Sequence, residues 1–364
     1  MNRNSLEPYT FHRARRASMP FRSTSACGGG LIIVAVWALF FLGLLAVAVA
    51  AHVSTNMEVA GRVKRRSLAG NMAKAAMAHA SLVLTSNTNE WDALDENWSH
   101  GDNDFRALPF EGGFGRVWHT NFEENMTITT NYGLIDEERK INISLPFNNG
   151  PILRSLMVIV GGLDGATATE ISNAIMDWKD ADDDERDGGA ENPYYQGKDP
   201  SYPCHNYIFD SLEELTLVKG VDDSLFSRLK DSITIFGNGS INLNTARRES
   251  LVVLTHSWGA TAHVSRSLAD KILDYREQGL TFSAGGSIDE MRADILDSLH
   301  KVVGLTTEEQ EVLQKMINAG QLGIRSTEFR GWASGHINGR PVDDRTVEFV
   351  MHGQDGRILY WRGD

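Results

Sequence analysis

The feature that most constrains this chain is an uncharged apolar run near its N-terminus, LIIVAVWALFFLGLLAVAVAA, from Leu31 to Ala51. It has 21 residues, and at about 1.5 Å per residue a helix of that length crosses the roughly 30 Å of bilayer hydrocarbon. A cleaved secretory signal has a shorter apolar core that is followed by small residues at the cut site. The run therefore predicts a transmembrane helix over residues 29–53 that stays in the mature protein.

Small residues stand before the apolar run, and this order indicates how the N-terminus is processed. The sequence CGGG, Cys27 to Gly30, directly precedes the run, and five arginines with one opposing glutamate lie further upstream. This arrangement suits a leader that is cut on the cytoplasmic side, and residues 1–28 are the predicted leader. Basic residues flank the run on both sides, so the positive-inside rule gives only a weak orientation.

An amphipathic pattern continues beyond the apolar run. Apolar residues such as Leu68, Met72, Ala76 and Val83 recur at helical spacing through residues 54–86, as expected for one face of a helix. This pattern predicts a single long helix from about Gly30 to about Thr85. The alternative is an ordinary single-pass anchor followed by a separate helix.

The rest of the chain alternates between two kinds of pattern. Asn87 to Gly115 reads as a loop with short turns, and the strand-like runs GRVWHTNF and MTITTNYGLI follow it. Three more such runs, STEFRGWASGHI, RTVEFVMHG and GRILYWR, close the chain. Residues 87–150 and 321–364 are therefore predicted to form a β domain, and residues 151–320 an inserted helical domain. The fold class that this order predicts is α+β.

The sequence contains weak internal repeats. INISLPFNNGPILRSLMVIV and INLNTARRESLVVL share an Ile-Asn opening, and KGVDDSLFSRLKDSI and VGLTTEEQEVLQKMI share a Gly-hydrophobic turn before a capped helix. The second pair resembles helix-hairpin-helix units, which bind DNA phosphates, but Asp222 or Thr306 replaces the second glycine. The formal charge is −13, which repels phosphate. These units are therefore interpreted as packing modules, and no nucleic-acid partner is expected.

The segment LVVLTHSWGA resembles the nucleophile elbow of α/β-hydrolases and would make Ser257 a nucleophile. However, Thr255 stands where a small residue is needed, and the preceding sequence begins a helix. A helix end capped by Ser257 is the preferred interpretation, and no enzymatic activity is expected. The two cysteines, Cys27 and Cys204, exclude a disulfide framework.

The acidic stretch DWKDADDDERDGGAENPYY starts at Asp177. Counted from Asp180, its carboxylates occupy the EF-hand ligand positions 1, 3, 5 and 12: Asp180, Asp182, Asp184 and Glu191. Position 6, normally glycine, is Glu185, so this is not a true EF-hand. The spacing favours a bound calcium ion, and the alternative is a solvated acidic loop.

Together these residues resemble type II secretion system protein K, the K-type minor pseudopilins. The matching pieces are GGGLIIVAVW, ISNAIMDWKDADDDERDGGAENPYY, SLEELTLVKGVDDSLFSRL and INLNTA, in the family's order. The resemblance implies the pseudopilin fold, in which a long N-terminal helix packs on an antiparallel sheet, with a large all-helical insertion that carries the helix-hairpin-helix-like units.

The family resemblance also implies processing, partners and a metal. Prepilin peptidase would cut after Gly28, making Gly29 the first mature residue, or alternatively after Gly30. The chain would be a single-pass protein of the bacterial inner membrane with its body in the periplasm, and would cap or nucleate the pseudopilus tip with the I- and J-type minor pseudopilins above the major pseudopilin. Structural calcium would be held by residues of the acidic stretch: Asp180, Asp182, Asp184, Asp187 and Glu191.

One departure from pilin-like proteins fits a tip position. Most of them carry a glutamate at mature position 5, where this chain has Ile33, or Ala35 for the alternate cut. A carboxylate in lipid is costly unless it is paired, and a tip subunit has no neighbour ahead of it to pair with. The competing functions are a membrane-anchored serine hydrolase that uses Ser257 and a component of a DNA-uptake pilus.

Overall fold

The computed structural model describes residues 28–122, 128–145, 149–283 and 288–363. The predicted leader, residues 1–28, lies outside this range except for Gly28. The chain separates into two compact units, with the boundary between Arg62 and Val63.

The secondary structure alternates between long and very short elements. The helices are α1 (Gly28–Thr85), α2 (Asp102–Phe105), α3 (Gly150–Ile159), α4 (Gly165–Lys179), α5 (Asn192–Gln196), α6 (Asp223–Leu229), α7 (Arg248–Ser257), α8 (Ala262–Glu277), α9 (Ile288–Val302) and α10 (Thr307–Asn318). The strands are β1 (Leu108–Phe110), β2 (Gly113–Phe122), β3 (Ile128–Asn131), β4 (Ile135–Asp136), β5 (Ile141–Asn142), β6 (Ile233–Thr234), β7 (Ile241–Asn242), β8 (Leu322–Gly323), β9 (Glu328–Ile337), β10 (Arg345–His352) and β11 (Ile358–Gly363). Single 3₁₀ turns are formed by Glu137–Arg139 and Pro341–Asp343, and a longer 3₁₀ helix by Leu212–Leu217.

The N-terminal apolar run and the amphipathic segment form one helix. Helix α1 has 58 residues, which confirms the single long helix and makes the alternative of two separate helices wrong. Among the described residues, α1 is the helix long and apolar enough to cross a membrane. In the first unit its side chains from Gly30 to Ala60 are exposed, as expected for a surface that lipid or other apolar chains cover.

The second unit contains an antiparallel sheet in the order β1-β2-β9-β10-β11, with β3 paired to β2 and β4 paired to β9. The register between the two longest strands places Trp118 opposite Trp332. All three strands predicted at the C-terminal end are present, and both earlier strand predictions overlap β2, β3 and β4. The prediction of a mere loop before Gly115 is wrong in part, because α2, β1 and the first residues of β2 lie there.

Small residues let α1 lie directly on this sheet. The buried helix residues Ala73, Ala76 and Ala80 pack in one core with strand residues Val117 and Phe349. A Cβ on Gly335 would lie 1.9 Å from the carbonyl oxygen of Ala69. The helix and strand backbones are therefore so close that only glycine fits at position 335. The described fold therefore confirms the predicted α+β class and the helix packed on an antiparallel sheet.

The region between β4 and β9 is built from two similar modules, which explains the internal repeats. In the first, β5 pairs in parallel with β6, and in the second, β7 pairs in parallel with β8. Each begins with Ile-Asn, continues with a helix pair (α3 and α4, or α7 and α8), and returns through a capped helix (α6 or α10) to its closing strand. The insertion is therefore helical with short strands added, and β6 and β7 lie inside the range predicted to be all-helical.

The turns before α6 and α10 also correspond. Gly220 and Gly304 both have positive φ, 84° and 69°, a backbone conformation that favours glycine. Asp222 caps α6 by accepting a hydrogen bond from the Leu225 amide, and Thr306 caps α10 in the same way. These side chains stabilise the helix starts, which agrees with a packing role.

Candidate functional site: an acidic loop after helix α4

The acidic loop connects the end of α4 to the start of α5. Helix α4 ends at Lys179, and Glu191 is the last residue before α5. The aromatic rings on either side of the loop meet: Trp178 packs edge-on against Tyr195 with 4.9 Å between ring centroids. Both rings are buried, so the two ends of the loop are fixed by the core.

Three carboxylates of the loop converge on one point. Asp180, Asp182 and Glu191 each place a carboxylate oxygen within 4.8 Å of those of the other two. Glu191 is 1% exposed, whereas Asp182 is on the surface. The group is thus open to solvent on one side and closed on the other.

The buried oxygens of this group are short of hydrogen-bond donors. Among the described residues, no N–H or O–H group donates to Glu191 Oε1, Glu191 Oε2 or Asp180 Oδ1, and the Cys204 thiol beside Glu191 is only a weak donor. Burial, and then the negative charges of Asp177 and Asp180, raise the pKa of Glu191 to about 7. Burial likewise raises the pKa of Asp180. Buried carboxylate oxygens are normally satisfied, and a bound cation is one kind of partner that would satisfy these.

Arg186 pairs with two acids at the start of the loop, Asp177 and Asp180. Its Nη1 donates to Asp177 Oδ1 at 2.6 Å and also pairs with Asp180 Oδ2. The fully buried Asp177 carboxylate further accepts from the backbone amides of Arg186 and Ala190, at 3.2 and 2.9 Å. Asp177 is therefore fully occupied within the protein, whereas among the described residues Asp180 Oδ1 and the Glu191 oxygens receive no such N–H donors.

Two glycines make the turn that brings Glu191 back to the start of the loop. Gly188 has φ of 71°, in the left-handed region that favours glycine. A Cβ on Gly189 would lie 1.9 Å from Asp177 Oδ2. The carbonyls of both glycines accept from Lys219 Nζ, at 3.2 and 2.8 Å, and this ties the loop to the turn that precedes α6.

The structure brings together three of the five predicted ligands. Asp184 and Asp187 are exposed and lie outside the group that converges. Instead, the Asp184 amide donates to Asp182 Oδ1 at 3.1 Å, and the Asp187 carbonyl accepts from the side chain of Asn173 at 2.8 Å. The predicted EF-hand register applies to positions 1, 3 and 12 of the loop.

Two acids that shape the loop are not at EF-hand ligand positions, and the sequence analysis gave them no role. Asp177 precedes the counted positions, yet its carboxylate organises the turn. Asp183 accepts from the side chains of Asn192 and Asn206, at 2.8 and 3.2 Å. The available signal was the DWK sequence itself, since an acid beside a tryptophan at a helix end is a candidate for burial.

The donor set suits a hard divalent cation. Calcium takes six to eight oxygen ligands and tolerates irregular geometry, and the loop offers three carboxylates of which two supply buried, unpartnered oxygens. No cysteine or histidine belongs to the group among the described residues, so the softer metals are disfavoured.

The serine that resembled a nucleophile has a structural role. Ser257 is the last residue of α7, and its Oγ donates to the Leu254 carbonyl at 2.6 Å. The neighbouring His256 pairs through Nδ1 with Ser155 Oγ at 2.9 Å, not with Ser257. The residues Leu251 to Leu254 are helical, so the strand that an elbow requires is missing from this segment.

Comparison with known proteins links the region around this loop to one family. Residues 150–238, which include α3, α4, the acidic loop and α6, match the family model for type II secretion system (T2SS), protein K. The resemblance to protein K is confirmed. Among curated proteins, the chain is 29% identical over 90 residues to a putative type II secretion system protein K of Escherichia coli K12. It is 33% identical over 90 residues to type II secretion system protein K of Aeromonas hydrophila.

These protein K alignments are partial. They cover 25% and 24% of this chain and 28% and 27% of the two relatives. A wider likeness is found in a crystal structure, that of the GspK-GspI-GspJ complex from the type 2 secretion system of enterotoxigenic Escherichia coli. One chain of it matches with a TM-score of 0.58 and 16% sequence identity over 85% of this chain and 99% of that chain. At this identity the match confirms the fold.

Proposed function

We propose that this chain is a minor pseudopilin of a type II secretion system that caps or nucleates the tip of the pseudopilus. The observation that carries the proposal is the protein K segment at residues 150–238 in a chain whose α1 is a 58-residue helix with an apolar first half. A pseudopilin needs such a helix to stay in the membrane before it joins a filament. The proposed role is structural, and Ser257, whose hydroxyl donates within α7 to the Leu254 carbonyl, has no part in it.

The composition of α1 supports a tip position. From Gly30 to Met57 the helix contains no acidic residue, and the first one is Glu58. A shaft subunit with a membrane-embedded acid can pair it with a neighbour, whereas an unpaired acid in lipid is costly. A subunit without this acid is best placed where no further subunit lies ahead of it.

The proposed partners follow from the same assignment. The I- and J-type minor pseudopilins would join the chain in the tip complex, and the major pseudopilin would follow below. Prepilin peptidase would cut after Gly28, or after Gly30, and the body would lie in the periplasm. The E. coli complex that contains GspK, GspI and GspJ supports this choice of partners.

Calcium is proposed as the structural ion of the acidic loop. Asp180, Asp182 and Glu191 would hold the ion. The ion would be the positively charged partner of the buried Glu191 oxygens. The ion pair between Arg186 and Asp177 would stay in place and would orient the loop for the ion. Once its charges are balanced by the ion, the loop would fix the start of α5 against the first helical module.

Co-purification tests the proposed function. The full chain, carrying an affinity tag, would be expressed in the inner membrane with the I- and J-type pseudopilins of the same bacterium and extracted in detergent. We expect a stable complex of the three proteins, and loss of secretion when the gene for this chain is deleted. If the chain purifies alone and the deletion leaves secretion intact, the proposed function is wrong. The mass of the purified chain also identifies the cleaved glycine.

A further inference from the structure

A short segment after α1 connects the two hydrophobic cores of the second unit. Residues 87–101 lie between α1 and α2, and we call them the strap. Trp91 of the strap packs against the core of the helical modules, whereas Trp98 is buried in the core between α1 and the sheet. The strap therefore links the sheet to the modules, and Asp92 directly follows the tryptophan on the module side.

Asp92 attaches the strap to the second helical module and to the chain that follows it. Its amide donates to the Ile324 carbonyl at 2.9 Å, and its carbonyl accepts from Asn242 Nδ2 at 3.0 Å. Its carboxylate accepts from the Ser326 amide at 2.8 Å, and within the described part of the chain no other N–H or O–H group donates to that carboxylate. Asp92 is 6% exposed, so water contributes little. A buried carboxyl group with one donor favours its neutral, protonated form.

A second buried aspartate lies beside this contact. Asp136 of β4 is buried, and its Oδ2 accepts at 3.3 Å from the same Asn242 Nδ2 that donates to the Asp92 carbonyl. Asp136 has more donors than Asp92, because Thr245 Oγ1 and the Glu138 amide also donate to it. Of the two aspartates, Asp92 is therefore the one whose negative charge the surrounding donors stabilise less.

The charged groups around the two aspartates favour a proton on Asp92. They come from the strap, from the 3₁₀ turn after β4, and from the chain between β8 and β9: Glu96, Glu138, Arg139 and Arg325. Burial, and then the negative charges of Asp136 and Glu96, raise the pKa of Asp92 to about 7. Arg325 opposes this rise, but it is exposed, so solvent screens its charge. Burial also raises the pKa of Asp136.

We propose that Asp92, by gaining or losing one proton, controls whether the strap is held against the second helical module. The ionised carboxylate places a second buried negative charge near Asp136, and one backbone amide stabilises it. The closed strap binds the proton more tightly than the open strap, so the contact is strongest at acidic pH and weakens as pH rises from about 4 through 7. This inference does not depend on the pseudopilin assignment, since it rests on the strap and its contacts.

Hydrogen–deuterium exchange of the full chain in detergent micelles, between pH 5 and pH 8, tests the inference. The readout is the exchange of residues 88–98, corrected for the intrinsic pH dependence of amide exchange, with strand β9 as the internal reference. Asp92→Asn is the test variant, because asparagine has the shape of the acid, can still accept from the Ser326 amide and stays uncharged at every pH. Asp95→Asn is the matched control, since it removes an exposed acid of the same strap.

In the wild type, the opening equilibrium of the strap should rise by at most about a hundredfold from pH 5 to pH 8, because the pKa of Asp92 is about 7 in the closed strap and 3.8 when unperturbed. Asp92→Asn should keep at pH 8 the protection that the wild type has at pH 5, and Asp95→Asn should follow the wild type.

Three results would overturn the inference: strap exchange in the wild type that does not change with pH, the same pH dependence in Asp92→Asn, or loss of the dependence in Asp95→Asn. Parallel loss of protection in β9 would also overturn it, because the whole unit would then unfold and not the strap alone. If Asp92→Asn does not fold, the wild-type profile decides: a rise confined to the strap supports the inference, and a flat profile contradicts it.

Discussion

Replacing Glu191 with glutamine measures how the buried negative charge of the acidic loop affects the stability of the protein. The glutamine has the same shape, but it needs no proton and has no negative charge. In calcium-free protein, burial and the nearby carboxylates raise the Glu191 pKa from 4.5 to about 7. Because the folded state holds this proton more tightly than the unfolded chain, Glu191 lowers the stability as pH rises from about 4.5 through 7, and the cost is complete above pH 7.

The size of that cost follows from the pKa difference. At 1.36 kcal/mol for each pKa unit, a rise from 4.5 to about 7 amounts to at most about 3 kcal/mol at pH 8. Glu191→Gln removes this cost, so in chelator at pH 8 the variant should be more stable than the wild type. At pH 4 the two should agree. Calcium reverses the order when it is present at about 1,000 times its Kd, because the wild type is then stabilised by about 4.1 kcal/mol, which exceeds the cost of the Glu191 charge, and the variant binds the ion less well.

Thermal unfolding of the full chain in detergent, with EGTA or with calcium at pH 4 and pH 8, measures both effects. A change of 1 kcal/mol shifts the Tm of a large domain by about 2–4 °C, so the reversal at pH 8 is measurable. Asp187→Asn is the matched control, since it removes an acid that lies outside the converging group, and it should respond to calcium as the wild type does. If Glu191→Gln and the wild type respond equally to chelation, Glu191 does not bind the ion and the proposed site is wrong.

Three further substitutions test the packing that positions the site and the sheet. Gly189→Ala places a methyl 1.9 Å from the Asp177 carboxylate and should destabilise the chain by about 2–3 kcal/mol and weaken its response to calcium, read from melting curves with and without EGTA. Gly335→Ala directs a methyl at the Ala69 carbonyl, also 1.9 Å away, and should cost about 3 kcal/mol by chemical denaturation. Asn242→Ala removes a buried amide that donates to an aspartate, a serine and a backbone carbonyl, and should cost about 2–4 kcal/mol.

Matched glycine substitutions separate these contacts from general effects of alanine. Gly197→Ala meets its nearest atoms at 3.4 Å, an ordinary contact distance, and should leave the calcium response unchanged. Gly70→Ala, on α1, meets nothing within 4 Å and should stabilise the helix slightly, by about 0.5–1 kcal/mol. A loss of stability in the controls as large as in Gly189→Ala and Gly335→Ala would show that the close contacts are not the cause.

Long elements of this fold could be predicted because their patterns extend over many residues. The 58 residues of α1 combine an apolar run with a helical period, and β9, β10 and β11 are runs of 6–10 residues in which β-branched and aromatic side chains recur. The strands β5 to β8 escaped prediction because each has two residues, too few for any period. Each opening strand ends in a buried asparagine that donates to distant backbone: Asn142 of β5 to the Phe236 and Gly237 carbonyls, and Asn242 of β7 to the Asp92 carbonyl.

The site could be predicted only as far as its spacing is regular. The EF-hand register correctly placed Asp180, Asp182 and Glu191 together, because Glu191 is brought back by the turn at Gly188. It failed to place Asp184 with them, since an EF-hand turns at position 6 and this loop turns later in the sequence. The pair of the buried Asp177 and the partly exposed Arg186 fixes the turn, and no ligand spacing contains that information.

The two helical modules differ in how the chain after their helix pair is held in place. This difference explains why the acidic loop occurs in the first module. In the second module, Asn244 both donates to and accepts from the backbone of Phe282, at 3.0 and 2.9 Å. The corresponding residue of the first module is Ser144, which makes a single 3.5 Å bond to the Phe209 carbonyl. The first module therefore has a weaker side-chain hydrogen bond at this position. Its connection is also longer and contains the acidic loop. A cation held at Glu191 would restore there the restraint that Asn244 supplies in the second module, so chelation should loosen the first module before the second.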